Sequence, residues 1–448
     1  MSFLTESKLT LKLAFPLVIG QVSQMLLGVA DTVMIGQLGV TELAVLTFAN
    51  SLFYVPFIFG IGVLSSVSVF TSGAAGGKDA AAGRASCRNG IYIGAAIGLL
   101  LFGLMSVISM NLGMFGQPAD VVAKTGAYFR IIMFSMIPGL MSMALKNHAD
   151  ALDRPWPPFW IFLGGVVLNV FLNWVMIYGK LGCPALGLAG AAWATMISRT
   201  AILIGMFVWI YRGRGMREWA PVRWLKPPSR AEIGKFLNVG IPSSLQMICE
   251  VSAFSVAGLM MGRFGETAMA AHQITLMCAA TAFMIPLGLS MALSVRLGSV
   301  KGAGQPERLR MIVKSGWVLA VSYGICGAAL FFTLGAWLAS LYTHEAPVIR
   351  LSASLMVVVG VFQLFDSLQV SSASMLRGLR DTRIPALVAF FAYWMVGLPV
   401  SVLLSVKYDQ GAVGVWWGLA LGLFVACFML APRLWKMTAP SASSARPS

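Results

Sequence analysis

Three carboxylates of this 448-residue chain, Asp31, Glu250 and Asp366, fall inside long apolar runs. A carboxylate in hydrocarbon costs roughly 3 kcal/mol or more, so an acid kept there marks an ion or proton path. Counted from the outer ends of their runs, Asp31, Asn169, Asn173 and Thr195 lie about 6–10 residues in, one layer roughly 9–15 Å deep at the helical rise. Asn169 and Asn173 are four residues apart and share one helix face. Carboxylate, amide and hydroxyl oxygens in one layer suit a hard cation such as Na⁺, or a proton. Glu250 and Asp366 lie near the middle of their runs. Two acids at similar depth share a cation or hold a proton between them. Arg199, one turn beyond Thr195, either pairs with an acid or snorkels to the interface. His272, near the outer end of its run, reads as a satisfied interfacial histidine.

The elements that carry these groups follow from composition. Hydrophobic residues make up 58% of the chain, charged residues 11%, and the mean hydropathy is +0.82. A soluble protein could not hide so much apolar surface, which excludes a soluble enzyme or a disordered chain. Runs long enough to cross a bilayer occur near 11–37, 44–71, 89–110, 127–149, 156–178 and 187–211. A second set lies near 236–262, 267–296, 315–341, 350–376, 384–406 and 411–432. The fold expected is an all-α membrane protein of twelve transmembrane helices. The remaining acids fall in loops or near the ends of runs. With both termini in the cytoplasm, most of the 32 Lys and Arg face inward, as inner loops do. The net charge of +16 therefore reports orientation. The basic loops lack the aromatic interleaving of a nucleic-acid surface, so no nucleic-acid partner is expected. The six cysteines stand singly, without metal or disulfide spacing. The first apolar run is too long for a signal peptide. The Ser/Ala/Pro-rich end from Pro440 reads as disordered.

The chain also repeats itself. At one constant offset Pro16 matches Pro242, Met34 matches Met260, Gly36 matches Gly262, and Gly62 matches Gly288. MIGQLGVTELA is echoed by MMGRFGETAMA. The division falls in the basic loop 212–235, giving an N-lobe over 1–222 and a C-lobe over 223–448. Six spans per half give both halves the same topology, a parallel repeat about a pseudo-two-fold axis along the membrane normal. Pro16 and Pro242 occupy equivalent places in spans one and seven. A proline there removes a backbone hydrogen bond and permits a gating kink. The acids are not copied: Glu250 aligns with Gln24, and Asp31 with Ala257.

The sequence resembles the MATE (multidrug and toxic compound extrusion) transporters of the bacterial NorM type. The resemblance rests on AFPLVIGQVSQMLLGVADTVMIGQLG in span one, LNVFLNWVMIYGKLG in span five and GIPSSLQMICEVSAFSVAGLMMGRFG in span seven. VFQLFDSLQVSSASMLRGLRDTRIP in span ten and AYWMVGLP in span eleven extend it over nearly the whole chain. It implies a monomeric antiporter of the bacterial inner membrane that expels cationic amphipathic drugs or toxins in exchange for Na⁺ or H⁺. No organic cofactor is implied. Asp31, Asn169, Asn173 and Thr195 match the family's N-lobe cation site, and Glu250 and Asp366 its C-lobe site. Phe362 stands where such proteins often carry a tyrosine, which removes a phenol oxygen one turn before Asp366. Two other functions compete. A lipid-linked precursor flippase would favour a basic cleft for phosphate. A membrane-embedded enzyme would need a catalytic constellation, and neither HExxH, a paired catalytic-Asp motif nor a Ser/His pair at matching depth is present.

Overall fold

The apolar runs become helices because a chain in lipid must close its backbone hydrogen bonds within each segment. The computed structural model describes residues 2–439, so the tail expected to be disordered from Pro440 lies outside the described residues. Twelve helices there are long and apolar enough to span a bilayer. The first six are α1 (Phe3–Gly36), α2 (Val40–Gly76), α3 (Ala80–Ser109), α4 (Ala119–Ala151), α5 (Trp156–Tyr178) and α6 (Leu188–Arg212). The second six are α7 (Arg230–Phe264), α8 (Glu266–Gly302), α9 (Pro306–Ser340), α10 (Ala346–Gly378), α11 (Arg383–Lys407) and α12 (Gly411–Met437). The described residues contain no strand.

Several helices outrun their apolar stretches. The run expected from 89 belongs to a helix that starts at Ala80, and the run expected from 315 to one that starts at Pro306. A hydropathy scan stops at Arg84 and Arg88, or at Arg310 and Lys314. The backbone does not, because long basic side chains extend past the apolar edge without breaking a helix. Local signals set the real ends. Asp79 caps α3 by accepting from the Ala82 amide at 2.9 Å. Ser229 and Glu232 form a reciprocal capping box at α7, with bonds of 2.9 and 3.2 Å. Gly179 closes α5 at φ 67, where only glycine is unstrained. In α11 the turns widen to π-helix over Phe390–Gly397 and Leu403–Lys407, on either side of Pro399. The missing proline N–H leaves a carbonyl for the wider turns to absorb.

Some charges placed by sequence at loops or run ends are buried in pairs. Lys146 and Asp150 bond at 2.7 Å with almost no exposure. Glu6 is fully buried, accepts from Arg296, and meets Arg308 Nε at 3.0 Å. Hydropathy prices each charge alone, whereas a bonded pair can be buried together.

Contacts divide the chain into two compact units, one of Ile19–Ser244 and one of Met1–Val18 with Leu245–Ser448. Both boundaries fall two residues after an intrahelical proline, Pro16 in α1 and Pro242 in α7. Each unit has its own core. Phe129, Met133, Leu140 and Phe236 anchor the first, and Met356, Val359, Trp416 and Leu419 the second. The matched glycines explain themselves here. In the first unit a Cβ on Gly62 would sit 2.6 Å from Ser244 Oγ. In the second a Cβ on Gly288 would sit 2.8 Å from the Val18 Cα. Ser244 and Val18 are the residues at which the chain leaves each unit, and the glycines give their helices room to approach.

Candidate functional site

In the unit Ile19–Ser244, the four residues singled out for the N-lobe form one hydrogen-bonded chain. The face shared by Asn169 and Asn173 on α5 meets α1 and α6. Asn173 Nδ2 donates to Asp31 Oδ1 at 2.6 Å and to Asn169 Oδ1 at 3.1 Å. Asn169 Nδ2 donates to Thr195 Oγ1 at 3.3 Å. Asn169, Asn173 and Thr195 are buried and Asp31 is half-buried. Asn173 Oδ1 is buried with no partner. An orphaned acceptor in a low-dielectric site is costly and is a ready ligand for a cation or a proton-bearing group. No three His, Cys, Asp or Glu side chains cluster among the described residues. A bound cation would therefore rely on mixed oxygens, a donor set that suits Na⁺ better than a soft metal.

Arg199 lies within electrostatic range of the acid Asp31 but forms no bonded ion pair with it. Its Nη1 donates to Ser135 Oγ at 2.8 Å. Its guanidinium lies 5.1 and 5.2 Å from the ring centres of Phe53 and Phe57, a cation–π arrangement. Among the described residues no carboxylate reaches it within ion-pair distance.

The other unit holds Glu250 and Asp366, close enough for the charge of one to act on the other. Glu250 Oε1 accepts from Gln246 Nε2 at 3.1 Å and from Gln369 Nε2 at 2.8 Å. Asp366 is buried and, among the described residues, without a hydrogen bond of its own. One turn earlier on α10, both amide atoms of the buried Gln363 lack partners. Phe362 packs edge-on against Phe254 at 5.8 Å and Trp416 at 6.2 Å. The place of the expected tyrosine is thus filled by an aromatic cluster with no oxygen. A phenol is present elsewhere: Tyr393, buried in the π-helical stretch of α11, lies within electrostatic range of both acids. His272 is not the satisfied interfacial residue its position suggested. It is buried against Trp416 at 5.6 Å, and its Nδ1 has no partner.

Five residues of this second group, Gln363 among them, escaped the sequence reading. Gln246 precedes Glu250 by four residues and Gln369 follows Asp366 by three, so helical spacing alone could have found both. Arg377 was counted with loop charges. It is buried in the last turn of α10, where its charge acts on Glu250. Tyr393 stands in the AYWMVGLP segment, and no spacing rule ties it to acids on α7 and α10.

Carboxylates set among amides inside a twelve-helix membrane protein are the features of a membrane transporter. The profile of the MatE family matches residues 16–175 and again 242–403. The chain belongs to the MatE family. The two matches begin at Pro16 and Pro242, in register with the internal repeat. Among relatives, it is 33% identical to the probable multidrug resistance protein NorM of Agrobacterium fabrum, covering 96% of this chain and 94% of that one. It is 32% identical to the multidrug resistance protein PmpM of Pseudomonas aeruginosa, covering 96% and 91%. The fold is similar to the MATE transporter VcmN of Vibrio cholerae in its bent form, with a TM-score of 0.86, 20% identity and 97% and 98% of the chains covered. It is also similar to the eukaryotic MATE transporter AtDTX14, with a TM-score of 0.87, 22% identity and the same coverage.

Proposed function

We infer that this protein is a multidrug efflux antiporter that exports cationic amphipathic compounds in exchange for Na⁺ or H⁺ by alternating access. The observation that carries this reading is the pair of a half-buried Glu250 and a buried Asp366, mutually repelling and, among the described residues, hydrogen-bonded only through two amides on Glu250. A structural acid would be neutralised by a bonded cation, as Glu6 is by Arg296 and Arg308. Among the described residues neither of these two has a bonded cation, and Arg377 acts on Glu250 only at a distance, which leaves charge for a transported ion. Asp31, Asn169, Asn173 and Thr195 form the second coupling group. The names of the relatives, which speak of multidrug resistance, support drugs as the exported cargo.

Exchange requires that cargo and coupling ion stabilise different states or exclude each other, because equal affinity for both states shifts nothing. Carboxylates that attract a cationic drug also attract Na⁺ or H⁺, so competition supplies the exclusion. The protein is read as a monomer of the bacterial inner membrane with both termini cytoplasmic. Purified protein in liposomes tests the reading. A cationic substrate should move against an imposed Na⁺ or proton gradient and collapse when that gradient is removed. Substrate movement indifferent to both gradients would overturn antiport. Lipid translocation in place of drug movement would point to a flippase.

A further inference from the structure

The unit Ile19–Ser244 contains a groove of about 550 Å³ that none of Asp31, Asn169, Asn173 and Thr195 lines. Phe59 of α2, Tyr92 and Ile97 of α3, Leu237 of α7 and the linker prolines Pro227 and Pro228 form much of its wall. Tyr92 is the one lining residue with a polar side chain. The lining runs from Tyr92 to Leu100 on α3 and from Ile233 to Ile241 on α7, about 12 Å along each helix at the usual rise. Both helices start on the linker side, so the groove leads from the linker into the apolar zone. Its far lips, Leu100 and Ile241, are exposed.

The mouth is basic. Lys226 precedes Pro227, Arg230 follows Pro228 by two residues, and both are exposed. Arg88 lies one turn before Tyr92, and its Nε has no partner. The nearby acid, Glu232, is occupied: it caps α7 through Ser229 and lies 3.8 Å from Arg88. The linker itself presents Val222 and Leu225 at 79% and 90% exposure, flanked by Arg223 and Lys226. Bare aliphatic side chains among basic ones suit a headgroup layer and not water.

We propose that this groove binds one acyl chain of an anionic phospholipid, with the lipid phosphate against Lys226 and Arg230. The apolar wall accepts any chain, and the basic mouth selects the negative headgroup. The same mouth repels a cationic drug, which separates this groove from the path of the cargo. The assignment needs only a membrane-embedded chain and stands apart from the antiport reading.

Native mass spectrometry of the full-length protein tests it, with phosphatidylglycerol and phosphatidylcholine of identical chains as probes. One phosphatidylglycerol should be retained about thirtyfold better than phosphatidylcholine, the preference expected of two basic groups near a headgroup. The double variant Lys226→Gln, Arg230→Gln changes only exposed side chains and should erase the preference. Ala96→Trp fills the groove and should release both lipids. If that variant does not fold, Leu100→Trp at the exposed lip makes the same comparison. Equal retention of both lipids by the native protein would overturn the proposal. So would a preference that survives the double variant, retention indifferent to both tryptophans, or one-for-one displacement by tetraphenylphosphonium.

Discussion

The two halves of this transporter hold their intramembrane acids in different ways. Asp31 is half-buried and embedded in a relay of amides and a hydroxyl that reaches Thr195. Asp366 is buried and, among the described residues, has no hydrogen bond, while the half-buried Glu250 beside it takes two from glutamines. The first arrangement distributes a charge over several dipoles. The second concentrates two charges in a poorly solvated place. A site of the first kind tolerates being empty. A site of the second kind demands a cation or a proton, because uncompensated burial of charge is so costly. The repeat therefore supplied one architecture twice, and the intramembrane acids and their partners diverged within it.

That contrast can be broken at its strongest point. Asp366→Asn or Glu250→Gln removes a charge the site depends on, and each should reduce drug efflux in liposomes by at least about tenfold, the scale of lost charged hydrogen bonding. Each variant should still insert and purify. Normal efflux by a well-expressed variant would remove these acids from the mechanism. Asp31→Asn comes next. It should reduce efflux strongly but less than Asp366→Asn, since Asn173 can still bond an amide at that place. An equal or larger loss would erase the distinction between the halves. Gln369→Leu takes the shorter of two bonds from Glu250. It should lower the apparent affinity for the coupling ion by about tenfold, the low end of the value of one bond to a charged group, and leave maximal drug efflux within about twofold. Phe362→Tyr should have the smallest effect. It adds a phenol one turn before Asp366 and is expected to alter Na⁺ dependence by no more than about threefold, because Tyr393 already brings a phenol near both acids.

Much of this was legible in the sequence. Twelve spans could be counted because hydrocarbon transfer dominates every other local preference. The four residues of the first relay could be grouped because depth and an i,i+4 spacing place them in one layer and on one face. Glu250 and Asp366 stood out because so few acids enter the apolar runs. The rest depends on information that hydropathy does not carry. Gln246, Gln369 and Gln363 are uncharged polar residues whose helix faces must be known before they mean anything. Arg377 was hidden by Arg380 and Arg383, its neighbours in sequence but not in burial. Glu6 looked solvated because its partners Arg296 and Arg308 lie far along the chain, and Lys146 because its i,i+4 pairing with Asp150 does not reveal burial. The π-helical turns of α11 answer to Pro399 and to α12 packing against them, neither of which a span count registers.

The buried acid near the start of the chain imposes a schedule on the protein's birth. Glu6 belongs by contact with the second half of the molecule, and its partner Arg296 lies 290 residues downstream. At ordinary rates of synthesis the ribosome needs roughly 15–60 s to bridge that gap. Throughout this interval Glu6 has no guanidinium to meet and must stay at the aqueous surface. Only when α8 and α9 arrive can the first turns of the protein be drawn into their final burial. The earliest residues made are thus among the last to reach their places, and a chain interrupted before Arg296 leaves an unmatched charge that quality control can recognise.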